Sequence, residues 1–594
     1  MRLLRFLILL LLATGLAGAG TPGADRALAL AGPWRLAPGE KPPKSLHVCY
    51  FTPSDVAASD DHAARVNRIM HDIQGFYRSE MERHGFGPLT FPLDENPDGT
   101  LRLIEVKGAR AAAIYSYDSG DAIRRECVAV LKKSGIQADR ETILIYSNLY
   151  RYDGRSIEQF APYYGGGDNF SGTAWLCDSP ILDANNLTEK EKHVRDKQYG
   201  DISVGRYNSI FIGGTAHELG HALGLPHNEE RPDEAERGTA LMGSGNRTYG
   251  EERRQDGKGS FLTFAHALRL LSHPLFGGAK GGKPGQPPCE LTEATVTAGA
   301  TGFTFQGKVT SPVPVYAVVA YTDPAGGDDY DATTATAIPE TDGRFVLDCN
   351  ALRKNRAGEL RLVFCHADGN TTHRAWSYAV AQDGRPNIDS IKLPLLLDKA
   401  ATAVVSGEAG AFAAEAQRLR ARPAQDATVL RYLDELEKSL RPEKDLPLPA
   451  EAAQDGQKTV ALADCRSESR RVGWLAPARN HLPEAPGLLA SGGRLWAHGL
   501  YAHAPATYAY DLGGQFAKLR GQVGLADGRE GSVIFLVRAD GRELWRSKLV
   551  KPGQVVPFDL AVKDARKLEL VTDPGPDGNG SDWGLWLEPT VEKK

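Results

Sequence analysis

Apolar residues recur along this chain with two different periods, and the changes between them mark its segments. Leu46 to Phe51 reads as a strand. Between His62 and His84, Val66, Ile69, Met70, Ile73 and Phe76 follow at the three- and four-residue spacing of a helix. Leu101 to Val106 alternates as a strand, Ala122 to Lys133 is helical, and Thr142 to Tyr146 reads as a buried strand. Ser209 to Thr215 leads into a further helix, and Phe261 to Leu271 supplies another.

Beyond residue 278 the pattern turns mostly to strands. Gly277 to Pro288 is rich in Gly, Lys and Pro, and Arg441 to Gln457 in Pro, Ala and charge. Neither can bury a core, so both read as linkers. Between them, Val315 to Tyr321 and Glu359 to Cys365 read as strands with turns such as Thr341-Asp342-Gly343, which suggests an immunoglobulin- or fibronectin-like sandwich. Asp426 is placed to cap a helix over 427–440 whose Leu430, Leu433, Leu436 and Leu440 form one apolar stripe. After it, 507–512, 518–524, 532–539, 543–549 and 567–572 recur as strands separated by Gly and Asp turns, the pattern of a second sandwich.

One short stretch carries chemistry. On a helix, His217 and His221 lie one turn apart, so both imidazoles leave the same face and can grip one ion. Glu218 beside them can take a proton from a water activated by that ion without being a ligand itself. Gly224 permits a sharp turn, after which His227 can swing back as third ligand. Three neutral nitrogens leave a fourth position open, as a catalytic Zn2+ requires. A helix whose histidines only satisfy hydrogen bonds, or a zinc that only holds the fold, are the competing readings.

This run of H-E-x-x-H-x-x-G-x-x-H, followed by Leu241-Met242-Gly243-Ser244, resembles the metzincin metallopeptidases. The resemblance implies an α+β catalytic domain, Zn2+ on His217, His221 and His227, Glu218 as general base, and Met242 as the Met-turn, an apolar floor beneath the imidazoles. It also implies that Ser171 to Cys177 is the edge strand that pairs with an extended substrate, with Gly165-Gly166-Gly167 either a mobile approach to the cleft or a plain surface turn. Tyr249 is a candidate for steadying an oxyanion, against the reading of a structural tyrosine.

The C-terminal pieces Gly499-Leu500-Tyr501-Ala502-His503-Ala504-Pro505, Tyr510-Asp511-Leu512 and Asp582-Trp583-Gly584-Leu585-Trp586 resemble the NPCBM family of carbohydrate-binding modules, a galactose-binding-like jelly roll found on secreted hydrolases. Trp474, Trp496, Trp583 and Trp586 are candidates for stacking on a sugar, or for packing the sandwich. The acidic loop Asp323 to Asp331 could hold Ca2+, although a solvated turn is the better reading.

Composition adds bounds. Arg2 and Arg5 before the apolar run Phe6 to Leu12, then Ala17-Gly18-Ala19, read as a secretory signal peptide. With 594 residues the chain needs several cores, and its net charge of −5 gives no footprint for nucleic acid; no stretch is long and apolar enough for a membrane span. Seven scattered cysteines suggest one or two bridges, with Cys127–Cys177 and Cys349–Cys365 as guesses. The expected organisation is multidomain: a signal peptide at 1–19, a metzincin-like domain at 45–278, a β-sandwich at 289–397, a helical linker at 402–445 and an NPCBM-like module at 458–594. The expected function is a secreted zinc endopeptidase acting on protein or glycoprotein and targeted to carbohydrate by its last module. A non-catalytic carbohydrate-binding surface protein, or a zinc hydrolase acting on glycan substituents, are the alternatives.

Overall fold

The computed structural model describes residues 21–37, 40, 42–276, 278–326, 329–422, 426–453, 458–485 and 487–594, so the signal peptide read at 1–19 lies outside the described residues. The chain divides into two compact units. One holds the described residues up to Leu225 with Asn246–Pro284 and Ala367–Gly369; the other holds Pro226–Gly245, Gly285–His366 and Asn370–Lys594.

The first unit is built on a five-stranded sheet. Its strands are β1 (His47–Thr52), β2 (Leu103–Lys107), β3 (Thr142–Ser147), β4 (Tyr164–Gly167) and β5 (Gly172–Cys177), in the order β2-β1-β3-β5-β4. β1 is parallel to β2 and β3, β3 is parallel to β5, and β4 runs antiparallel to β5. The continuous apolar run of β3 follows from burial on both faces, since all six residues are inaccessible. Helices α1 (His62–Arg83), α2 (Gly120–Lys133), α3 (Val204–Ala222) and α4 (Phe264–Leu271) complete the unit. Cys49, Ile123, Cys127, Leu131, Ile143, Ile145 and Cys177 share one core.

The strand order corrects one expectation. The stretch read as the edge, Gly172–Cys177, is internal, and the outermost strand is β4, which contains the triglycine run. A second correction concerns sulfur: all seven cysteines are free thiols, so neither Cys127–Cys177 nor Cys349–Cys365 is a bridge. Cys127 and Cys177 serve as small apolar core residues instead.

The ion pair of Arg65 and Asp178 ties α1 to the end of β5. Arg65 Nη1 and Nη2 donate to the two Asp178 oxygens at 2.6 and 2.9 Å, and Tyr50 Oη donates to Asp178 at 2.7 Å. All three side chains are buried. The hydrophobic pattern gives no sign of this polar pin.

In the second unit, two antiparallel sheets enclose a shared core that includes Phe305, Val318, Leu347, Leu362 and Phe364. One has β6 (Glu290–Ala298), β7 (Phe303–Thr310) and β10 (Arg344–Cys349). The other is centred on β8 (Val315–Pro324), β9 (Thr333–Ala337), β11 (Arg356–His366) and β12 (Thr371–Val380). The segment Pro226–Gly245, expected within 45–278, groups with this unit. Its polar side chains explain why: Arg231 donates to Thr334 O at 3.0 Å and to Asn350 Oδ1 at 2.8 Å, and Arg353 binds both oxygens of Glu229 at 2.6 Å.

Three helices follow where the sequence suggested one: α5 (Asp389–Val405), α6 (Ala409–Arg420) and α7 (Ala427–Ser439). Asp426 caps α7 by accepting from Thr428 N at 2.9 Å. α5 crosses the boundary expected at residue 397. The rest of the unit is a second sandwich whose core includes Tyr510, Phe516, Phe535, Leu570 and Trp586. The strands read from the sequence are present as Ala506–Asp511, Phe516–Leu525, Val533–Ala539, Arg542–Arg546 and Lys567–Pro574. Val555–Ala561 and Gly584–Lys593 add to them. Among the described residues no helix is long and apolar enough to cross a membrane.

Candidate metal centre and sugar-binding face

The motif histidines begin on α3, a helix buried over most of its surface. Ser203 Oγ caps it by accepting from Arg206 N at 3.1 Å. Glycines let other chain segments come close. A Cβ on Gly213 would lie 2.3 Å from Asn246 O, and one on Gly214 would lie 2.3 Å from Tyr163 Oη. The helix ends in a Schellman motif: Leu225 N donates to Gly220 O at 3.0 Å and Gly224 N to His221 O at 2.9 Å. Gly224 takes φ +76° there, the left-handed conformation that its lack of a side chain permits.

The turn also orients a ligand. His221 Nδ1 lies 2.9 Å from Leu225 O, so Nδ1 carries the proton and Nε2 presents its lone pair. That Nε2 sits 3.1 Å from His217 Nε2. One ligand atom from each of His217, His221 and His227 falls within a 4.8 Å cluster. The donor set fits zinc. Two nitrogens at ~2.1 Å from a tetrahedral ion would be ~3.4 Å apart, close to the separation of the first pair. His217 is buried, whereas His221 and His227 are part-exposed, so the cluster is reachable from solvent.

Glu218 follows His217 and is part-exposed. Burial pushes its carboxyl up to about 7, opposed in part by the nearby Gly165 backbone. A Cβ on Gly165 would lie 2.1 Å from Glu218 O, and one on Gly172 would lie 2.0 Å from Ala222 O. The triglycine run is therefore a strand pressed against the motif helix, rather than a loose approach or a surface turn. Tyr163, just before it, is half-buried against the same helix and donates to Phe211 O at 3.0 Å. The sequence offered Gly165 only as part of a cleft approach or surface turn and did not single out Tyr163; the signal available was the Tyr163-Tyr164-Gly165-Gly166-Gly167 run itself.

Met242 is buried, and its carbonyl accepts from Asn228 N at 3.3 Å, directly after His227. Tyr249 is not an oxyanion donor. Its hydroxyl donates to Asp72 at 2.5 Å inside a cluster with Arg253, and the side chain is wholly buried. In the acidic loop, Arg361 supplies the cation: its Nη1 lies 2.8 Å from Asp329 and its Nη2 3.4 Å from Asp323. The described residues of the loop thus have a positive partner within the protein.

The C-terminal module sorts its tryptophans. Trp496 and Trp586 are buried and donate their indole N–H to Ser491 O at 3.1 Å and Thr572 Oγ1 at 3.2 Å, as packing residues do. Trp583 is also buried, with the Arg529 guanidinium 3.8 Å above its ring. Arg529 is held in turn by Glu484 at 2.5 Å. Trp474 differs, being 59% exposed beside Leu475 at 45%. Tyr501 donates to the backbone O of Trp474 at 3.2 Å and contacts the Trp583 ring at 5.1 Å between centroids, so the Trp474 backbone and the Trp583 ring share Tyr501 as a neighbour.

Residues 458–592 match the NPCBM/NEW2 domain. The C-terminal sandwich is thus a carbohydrate-binding module by family. No curated protein matches the chain. Among solved structures, OgpA from Akkermansia muciniphila is 27% identical, covering 58% of this chain and 96% of its own, with a TM-score of 0.49. The M60 catalytic domain with CBM51 modules of Clostridium perfringens ZmpB is 13% identical over 66% of this chain and 40% of its own, with a TM-score of 0.22. A CBM51 module of Clostridium perfringens GH95, solved with methyl-galactose, is 21% identical over 22% of this chain and 99% of its own, with a TM-score of 0.21.

Proposed function

We propose that this chain is an exported zinc endopeptidase of metzincin type that cleaves proteins or glycoproteins, with its NPCBM domain attaching it to glycan. The observation that carries the reading is the cluster of His217, His221 and His227 with the part-exposed carboxylate of Glu218 next to it in the helix. A structural zinc would be closed by a fourth protein ligand, and among the described residues the cluster contains three.

Bound zinc supplies Lewis acidity, which makes water acidic near neutral pH and polarises the scissile carbonyl. The chain's own groups do the rest. Glu218 accepts the proton released as water oxygen bonds to the carbonyl carbon. It holds that proton in its low-dielectric setting and delivers it to the amine nitrogen as the C–N bond breaks. The Gly165 backbone lies against the helix turn that carries this carboxylate. The free edge of β4 can add an extended peptide as a further strand, which recognises main chain rather than side chains. Met242 fits the Met-turn position, since it is buried and its backbone bonds to the residue after His227.

On the module, Trp474 offers a flat apolar face to the C–H side of a pyranose, and Arg529 and Glu484 offer charged hydrogen-bonding partners to hydroxyls. The test is digestion of a mixed proteome and mucin panel with the zinc-loaded protein. New amino termini are expected with wild type and none with Glu218→Gln, which retains zinc. Release of acyl groups or sugars without new termini would replace the peptidase reading by a glycan hydrolase. Equal digestion by Glu218→Gln would remove Glu218 from its role.

A further inference from the structure

An aromatic ring of the first β-sandwich faces the third histidine. Tyr330 stacks on His227 with ring centroids 3.6 Å apart and planes at 24°. It sits in the turn leading into β9, and that turn is tied at both ends. Arg361 on β11 binds Asp329 at 2.8 Å on one side. On the other, Ala332 O accepts the backbone N–H of Glu229 at 2.8 Å, two residues past His227. Glu229 is itself clamped by Arg353, and Arg231 reaches Thr334 O and Asn350. The chain that carries His227 and the ring that faces it thus hang from the same sandwich.

His221 has its orientation set by Leu225 O, within its own helix turn. His227 comes after the helix, on a segment that groups with the sandwich. We propose that Tyr330 is a positioning residue for the third metal ligand: its stacked ring fixes the orientation of the His227 imidazole. This rests on reading His217, His221 and His227 as metal ligands. A stack works here because two flat rings at van der Waals distance resist rotation of the imidazole about its Cβ–Cγ bond, while leaving both ring nitrogens unblocked. Groups that orient a ligand commonly shift metal affinity by 10–100-fold when removed.

The test measures zinc affinity by competition with a chromophoric chelator, using the full chain and Tyr330→Phe, Tyr330→Leu and Tyr330→Ala. Tyr330 is 46% exposed, so its loss leaves no core cavity, and the metal-free melting temperature is expected to stay that of wild type. Phe, which keeps the stack, is expected to bind zinc within about threefold of wild type. Leu and Ala are expected to bind about tenfold or more weakly. The visible spectrum of the cobalt-substituted protein should shift with Ala and not with Phe. Wild-type affinity and spectrum in Tyr330→Ala would overturn the proposal. A melting temperature that drops equally in all three variants, with unchanged affinity, would do the same. His221→Ala separates the two levels of inference. If it retains full zinc affinity, the reading of the metal centre fails; if it loses zinc while Tyr330→Ala does not, only the role of Tyr330 fails.

Discussion

Gly165 lies against the backbone of Glu218, where any Cβ on the glycine would meet Glu218 O at 2.1 Å. One residue therefore joins the edge strand of the sheet to the helix turn that carries the proposed base, through a close backbone approach. Backbone cannot yield as a flexible side chain does, so a larger residue must push the strand and helix apart.

Gly165→Ala is thus expected to separate β4 from α3 and displace the helix turn that carries Glu218. Overpacking of this kind costs about 1–3 kcal/mol of stability. Cleavage is expected to fall more than stability implies, by tenfold or more in kcat/KM, since the base moves away from its place beside the histidines. Gly166→Ala is the control: a Cβ there meets nothing within 4 Å, so activity and melting temperature should stay near wild type. Equal activity in the two variants would show that the close approach is dispensable.

The motif helix was legible because metal chemistry fixes residue types at helical spacing, and the strands of the sandwiches were legible because alternation reports one buried face. What escaped has physical reasons. α6 packs through three residues, Phe412, Ala416 and Leu419, set among further alanines, so its apolar stripe has little contrast with its surroundings. The triglycine strand has no side chains to alternate, and its pairing shows only in the sheet register, Gly165 opposite Ala174 and Gly166 opposite Thr173. Arg65 and Asp178 are 113 residues apart, and nothing local marks either as buried. The attachment of the loop after His227 to the sandwich is likewise a matter of long-range pairs such as Arg353 with Glu229.

That buried pair gives a direct stability test. Asp178→Ala leaves the Arg65 guanidinium, 4% exposed, without its carboxylate, and also leaves Tyr50 Oη without its acceptor. Removing one partner of a buried ion pair costs about 3–5 kcal/mol. Chemical denaturation of the unit containing β1 and α1 should show a midpoint lowered to match. The double change Arg65→Met with Asp178→Leu is expected to recover much of the loss, because no unpaired charge remains buried. A single variant with the wild-type midpoint would mean the pair is solvated in solution.

A pH test follows from Asp527, whose carboxylate accepts from the backbone N–H of Gly492 at 2.8 Å and of Gly493 at 3.0 Å. Burial pushes it up to about 6, opposed by the hydrogen bonds from Ser377, Gly493 and Gly492. A raised folded-state value means the native state favours the protonated form. Stability from this group is full below the unfolded value of ~3.9, declines as pH rises toward 6, and stays low above it. A shift of two units corresponds to about 3 kcal/mol at most. Asp527→Asn removes this dependence, so its stability relative to wild type should improve between pH 4 and pH 7. A relative stability that is flat or falls across that window would contradict the assignment.

The sugar-binding face can be tested apart from catalysis. Trp474 is exposed, whereas Trp496, Trp583 and Trp586 are buried, so truncating it leaves the sandwich core intact. Trp474→Ala is therefore expected to keep the wild-type melting temperature. An indole stacked on a pyranose is a large rigid contact, and losing one such anchor commonly costs about 2 kcal/mol or more, near thirtyfold in affinity. Glycan-array binding and retention on a mucin column should fall accordingly. Cleavage of an unglycosylated peptide should not change, because the residue is not among those assigned to catalysis. If Trp474→Ala binds every glycan that wild type binds, the sugar lies elsewhere on the module, and Arg529→Ala, which removes the cation above Trp583, becomes the variant that locates it.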